Sequence, residues 1–173
     1  MRFNPAWRLL ATFLAVLTAP LAATQAPTAD LLDRVLAFVD GQLIMQSDVR
    51  AFTELGLVDP GDAADPEEAV LTALVERQLI LAEVDRYVVA EPTVVEVDAR
   101  LADVVARAGG VEGFESRLPL LGFTRADLRQ IVRDDLRIER YLDGRFPSSA
   151  LRASLVEDWI LSLSARADVL RLR

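Results

Sequence analysis

The segment from Asp65 to Tyr87 restricts the possible folds more than any other part of the chain. After Asp65-Pro66 it runs without a helix breaker, and Val70, Leu71, Leu74, Val75, Leu79, Ile80, Leu81 and Val84 spread over most sides of a helical projection. A helix that is apolar around most of its circumference needs cover on most of its faces. Asp65 suits the N-cap, Pro66 the first helical position, and Glu68 stands three residues after the cap, where a capping box places its acid. The pattern predicts a central helix from Pro66 to about Tyr87, with the other elements arranged around it.

Before it, the runs Val35–Val39 and Gln42–Met45 are separated by Asp40-Gly41, a pair that tolerates the positive φ of a tight hairpin. Ser47 is placed to cap a helix over about Asp48–Leu57. Beyond the break at Glu91-Pro92, Thr93 and Glu96 form a second capping box for a helix carrying Val94, Val97, Leu101, Val104 and Val105, which Gly109-Gly110 stops. A short helix over Val111–Leu118 ends at Pro119 and Gly122. Thr124 caps a fifth helix running to about Tyr141, and a sixth spans about Ala150–Ala165 and contains Trp159. The final residues, Asp168–Arg173, alternate like a strand. A lone hairpin is marginal in water, so this strand is its natural third member. The expected fold is mainly α: five to six helices around a central one, with a small antiparallel sheet formed by the N-terminal hairpin and the C-terminal strand.

Residues 1–26 differ from the rest. Arg2 and Arg8 are their only charges, followed by the apolar run Leu9–Leu17 and then small residues. This is the layout of a secretory signal peptide. The run falls short of the roughly 20 apolar residues of a membrane span, and Pro20 breaks it. Cleavage is expected after Ala23, with Thr24-Gln25-Ala26 as the second candidate. Residues 27–173 then form a single domain. Loss of two Arg and no acid takes the net charge from −8 to −10, which removes any general attraction to nucleic acid or anionic lipid. Export with such a leader implies a periplasmic location and no stable membrane insertion once the leader is gone.

The chain has no His, no Cys and, among its 19 basic residues, no Lys. Disulfides, zinc or haem held by His or Cys, Ser-His-Asp and Cys-His catalysis, Schiff-base chemistry and a phosphate-binding P-loop are all excluded. Neither a cofactor nor a metal site is expected. Asp59, Asp62, Asp65, Glu67 and Glu68 lack the alternating spacing of a calcium loop and read as a solvated loop feeding a helix cap. Gly109-Gly110-Val111-Glu112-Gly113 has no Lys and reads as a helix stop.

The fifth helix carries the clearest candidates. At about 100° per residue, Arg125, Arg129, Arg133, Arg137 and Arg140 share one third of its circumference. They form either a docking ridge for an acidic partner or for peptide carbonyls and carboxylates, or a face that is matched by acids on neighbouring helices or plainly solvated; the second is favoured. Asp135 and Glu139 fall among Leu128, Ile131, Val132, Ile138 and Leu142, so they either pair with Arg or line a groove. A carboxylate hydrolase using these two acids is the weakest alternative. Phe114, Leu118, Leu121 and Phe123, with Leu120, crowd around Pro119 and Gly122. They are core residues or an apolar patch for an extended client.

Several short stretches, in order, resemble the SurA-type periplasmic chaperones. They are Val39-Asp40-Gly41, Leu43-Ile44 and Ser47-Asp48-Val49; Leu74–Ile80; Pro92-Thr93 with Glu96-Val97-Asp98; Leu136-Arg137-Ile138 with Tyr141-Leu142; and Trp159 followed by Arg166–Val169. Members of that family usually carry parvulin prolyl isomerase domains between the fifth helix and the closing helix. Here that place holds only Phe146-Pro147-Ser148-Ser149, and the His residues of a parvulin site are missing. The resemblance therefore implies the chaperone core alone, not an enzyme, binding unfolded or extended polypeptides such as outer-membrane protein precursors. Arg125, Arg129, Arg133 and Arg137, with Phe114, Leu118, Leu121 and Phe123, are the residues expected to contact them. The alternative is a scaffold that binds one dedicated folded partner or itself.

Overall fold

The computed structural model of the chain describes residues 33–172. The expected leader and its cleavage point lie outside them. A hairpin of β1 (Val35–Val39) and β2 (Gln42–Met45) leads into α1 (Gln46–Glu54). Then follow α2 (Pro66–Val84), α3 (Val94–Arg107), α4 (Val111–Arg117), a 3-10 turn over Pro119–Leu121, α5 (Arg125–Arg145), α6 (Arg152–Ser164) and β3 (Val169–Arg171). The domain is mainly helical with a small three-stranded antiparallel sheet, as the sequence predicts.

The hairpin turns where the sequence places it. Asp40 and Gly41 take φ of 47° and 91°, pairing Val39 with Gln42 and Phe38 with Leu43. β3 joins the other side of β1, with Val39 opposite Val169 and Ala37 opposite Arg171, giving the order β2-β1-β3. A hydrogen bond from Asp40 N–H to the Asp168 carbonyl, and one from Asp168 N–H to the Asp40 carboxylate (3.1 and 3.0 Å), tie the turn to the returning chain.

Helix starts follow local chemistry, with two departures from expectation. Thr93 and Thr124 head capping boxes completed by Glu96 and Asp127. Asp65 accepts the Glu68 N–H at 3.1 Å, as expected, but Glu68 does not return the bond; its carboxylate holds Arg171 of β3 instead. Ser47 is not the cap of α1. The helix begins one residue before Ser47, where the Asp48 carboxylate accepts the Met45 N–H at 2.8 Å, while the Ser47 hydroxyl binds Asp33. α1 and α2 each stop about three residues short of their predicted ends. α5 runs four residues past Tyr141, because Gly144 lowers helix propensity without ending a helix that is already packed.

α2 is central. It packs against α1, α5, α6, β1 and β2, and from Ala69 to Val84 no residue is fully exposed. Two apolar clusters result. The first gathers Leu36, Val39, Ile44, Phe52, Trp159 and Leu163 around α2. The second joins α3, α4 and the 3-10 turn through Val97, Leu101, Val104, Phe114, Leu118 and Leu121. α5 contributes to both, with Ile138 in the first and Leu128 and Val132 in the second.

Leu101 is 2% exposed, whereas Val95 on the same helix is 77% exposed. Leu101→Ala should therefore lower unfolding stability in urea by about 2–5 kcal/mol. Val95→Ala should change it by no more than about 0.5 kcal/mol.

Candidate functional site

The arginine ridge of α5 meets acids of this same chain. Arg125 pairs with Glu115 of α4, and Arg129 with Asp98 of α3. Arg137 reaches Asp85 just beyond α2 at 2.7 Å, Glu91 at 3.3 Å and Asp134 at 3.5 Å. Arg140 pairs with Glu96 and donates to the Ala90 carbonyl at 2.8 Å. Of the five, only Arg133 meets no acid among the described residues; it donates to the Gln130 side chain at 2.9 Å. The ridge is thus a seam that holds α5 against α3 and the chain after α2. Each exposed pair contributes about 0–1 kcal/mol. Their combined effect is to fix the rotation of α5.

The two acids on the apolar stripe of α5 are paired as well. Asp135 accepts from Arg77 Nε at 2.7 Å, and the same guanidinium donates to the Ile131 carbonyl at 3.2 Å. Burial pushes the Asp135 carboxyl above its ordinary range, against the pull of Arg77. Glu139 binds Arg100 of α3 through both oxygens, at 2.7 and 2.8 Å. The two carboxylates are thus committed to different helices, not aimed together at a reacting atom, and this geometry gives no support to hydrolase chemistry.

Phe114, Leu118 and Leu121 are 0%, 3% and 3% exposed, so the structure places them in the core and not on a client-facing patch. Phe123 is half-buried against the same cluster. The cause is the turn after α4. Gly122 takes φ of 74°, so that Phe123 N–H returns to the Leu118 carbonyl at 3.0 Å and the chain folds inward. Arg117 fastens the turn from outside, donating to the carbonyls of Gly113 (2.9 Å), Glu54 (3.2 Å) and Ala108. Leu120 alone points outward.

Uncovered apolar surface lies instead on α6. Trp159 and Leu163 bury one side of it against α2, while Leu151, Leu155 and Leu161 remain exposed. Between α2 and α6 an open cleft of about 330 Å³ is lined by Ala153, Val156, Ile160 and Leu161, with Glu76 and Glu157 as its carboxylates. Sequence reasoning passed over this cleft. Its signal was the composition of α6, which, like α2, is apolar on several sides, yet α6 is covered chiefly by α2 and, at Trp159, by Tyr141 and Phe146. A second uncovered row, Leu43 and Leu170 flanking the half-buried Phe38, crosses the outer face of the sheet.

Among the described residues no helix is long and apolar enough to cross a membrane, and no group of three or more acids is arranged to hold a metal ion. The acidic loop serves its own backbone: Asp59 accepts the Gly61 N–H at 2.9 Å, and Asp65 caps α2. No protein-family model matches the chain, and no curated protein is significantly similar to it.

Two measurements check this assignment. Phe114→Ala should cost about 3–5 kcal/mol of unfolding stability, whereas Leu120→Ala should leave stability nearly unchanged. The second concerns acid. Glu96 accepts from the Thr93 hydroxyl and N–H, at 2.6 and 2.7 Å, and binds Arg140, which together lower its pKa to about 2. A lowered carboxylate pKa stabilises the fold above the ordinary Glu range, and that stabilisation is lost as pH falls toward 2. The melting temperature of Glu96→Gln should accordingly fall less steeply than that of the parent chain between about pH 4.5 and pH 2.

Proposed function

We propose that this chain is a non-catalytic, chaperone-like protein that binds unfolded or extended polypeptides in the periplasm, outer-membrane protein precursors among them. The observation that carries the reading is the open cleft between α2 and α6, which has the exposed Leu161 in its lining. A shallow apolar surface of this kind gains free energy from any chain that covers it, at about 25 cal/mol per Å² of apolar area, with little dependence on sequence. Binding of that type needs no cofactor and no energy input, and release follows when the client folds and withdraws its own apolar groups. The resemblance of the chain to the SurA-type chaperone core supports the same reading, and the high negative charge would keep loaded complexes apart in solution. The Arg residues of α5 play an internal part here. The client-facing residues become Val156, Ile160 and Leu161 in place of the 114–123 segment.

The test is light scattering of a chemically unfolded outer-membrane β-barrel protein diluted into buffer with the purified chain. Near-stoichiometric suppression of aggregation is expected. A Leu161→Asp variant should suppress it several-fold less at an unchanged melting temperature. Absence of suppression by the folded parent chain would overturn the reading in favour of a scaffold with one dedicated partner.

A further inference from the structure

The chain is rich in acids, and most of those at the helix interfaces are matched. Asp135, Glu139, Asp98, Glu96 and Glu115 each hold an arginine. The cleft between α2 and α6 is different. Among the described residues, neither Glu76 nor Glu157 makes a side-chain hydrogen bond or an ion pair, although both line the same hollow. The nearest cation to bear on Glu76 is Arg171 of β3, whose guanidinium is already engaged by Glu68 and by the Thr72 hydroxyl at 3.1 Å. Glu76 is half-buried on α2, and burial pushes its carboxyl upward. Arg171 opposes that shift, and the charge of Glu157 adds to it. Two carboxylates thus stand beside Val156 and Ile160, and the cation that acts on Glu76 from outside the cleft, Arg171, is held by Glu68 and Thr72. A cation entering the cleft would pair with these carboxylates while its aliphatic stem covered Val156 and Ile160, as Lys and Arg stems do.

We propose that the α2–α6 cleft selects polypeptide segments in which an Arg or Lys is set among apolar side chains, its cationic group held by Glu76 and Glu157. The proposal rests on the polypeptide-binding reading above and adds a client preference to it. Val156, Ile160 and Leu161 would accept the apolar neighbours, and the two carboxylates would fix the register of the segment by one charged position. Clients with acidic residues at that position would be rejected by the same pair.

Fluorescence anisotropy with labelled ten-residue peptides of Leu, Val and Ala, identical except for Lys, Gln or Glu at the centre, tests this directly. The Lys peptide should bind the full chain about fivefold more tightly than the Gln peptide, with the Glu peptide weakest. In a Glu76→Gln, Glu157→Gln variant the Lys advantage should vanish while affinity for the Gln peptide is kept. Circular dichroism melting should show the variant to be at least as stable as the parent, since no carboxylate is then half-buried at position 76. Equal affinity for all three peptides would overturn the charge preference and leave polypeptide binding standing, as would a Lys advantage that persists in the variant. Absence of binding by any peptide would overturn both, and a dimeric mass in sedimentation equilibrium alongside it would assign the cleft to a second copy of the chain.

Discussion

Helix α2 has no face suited to water over most of its length, and each neighbouring element answers a part of that demand. The sheet covers it through Val39 and Ile44, α1 through Phe52, α5 through Ile138, and α6 through Trp159 and Leu163. Burying one side chain the size of Leu or Val contributes about 1.5–3 kcal/mol, and α2 buries seven such residues. None of the surrounding elements has comparable cover of its own. The sheet has three short strands, and such a sheet needs a packed face to persist. Its two ends come from opposite ends of the described chain, so the sheet and α6 can form only if α2 is in place to receive them. The same helix therefore closes the domain and determines which surface of α6 is left over.

Charge has a different task in this molecule. With Arg as the only basic residue, every cation can fork across two acceptors, and the interfaces use that property. Arg100 grips both oxygens of Glu139, Arg77 joins the Asp135 carboxylate to the Ile131 carbonyl, and Arg117 gathers three backbone carbonyls around the turn after α4. These contacts give orientation more than stability. They hold α5 so that one side feeds the α2 cluster and the other feeds the α3–α4 cluster, which is why an acidic protein can place an arginine ridge on one helix without exposing it as a basic patch.

The features that sequence reasoning recovered were those governed by neighbouring residues. Asp40-Gly41 makes its hairpin, and Thr93 and Thr124 make their capping boxes, because each needs only partners three or fewer residues away. Where a distant partner competes, the local rule fails. Glu68 leaves its capping box for Arg171, about a hundred residues along the chain, and Ser47 gives up the cap of α1 for Asp33. The 114–123 segment shows the same limit. Its apolar residues fit either a patch or a core, and the choice is made by the left-handed Gly122 and by Arg117 reaching back to Glu54. The cleft was unreadable because its walls come from two helices about 80 residues apart. No spacing within α6 reveals that Glu157 will face Glu76.

The two uncovered apolar surfaces are not equivalent, and the difference follows from geometry. The row across the sheet is flat. Its edges are a four-residue and a three-residue strand, lengths that limit pairing with a foreign strand. Leu43 and Leu170 stand about one strand spacing to either side of Phe38, so a partner there would rest on side chains without entering anything. The α2–α6 surface is concave, so a single inserted side chain loses water on several sides at once, and contact free energy per residue is correspondingly larger. It also contains two acids, Glu76 and Glu157, that pair with no arginine among the described residues. A concave hollow of mixed polar and apolar lining offers an occupant more contact per residue than the flat sheet face does.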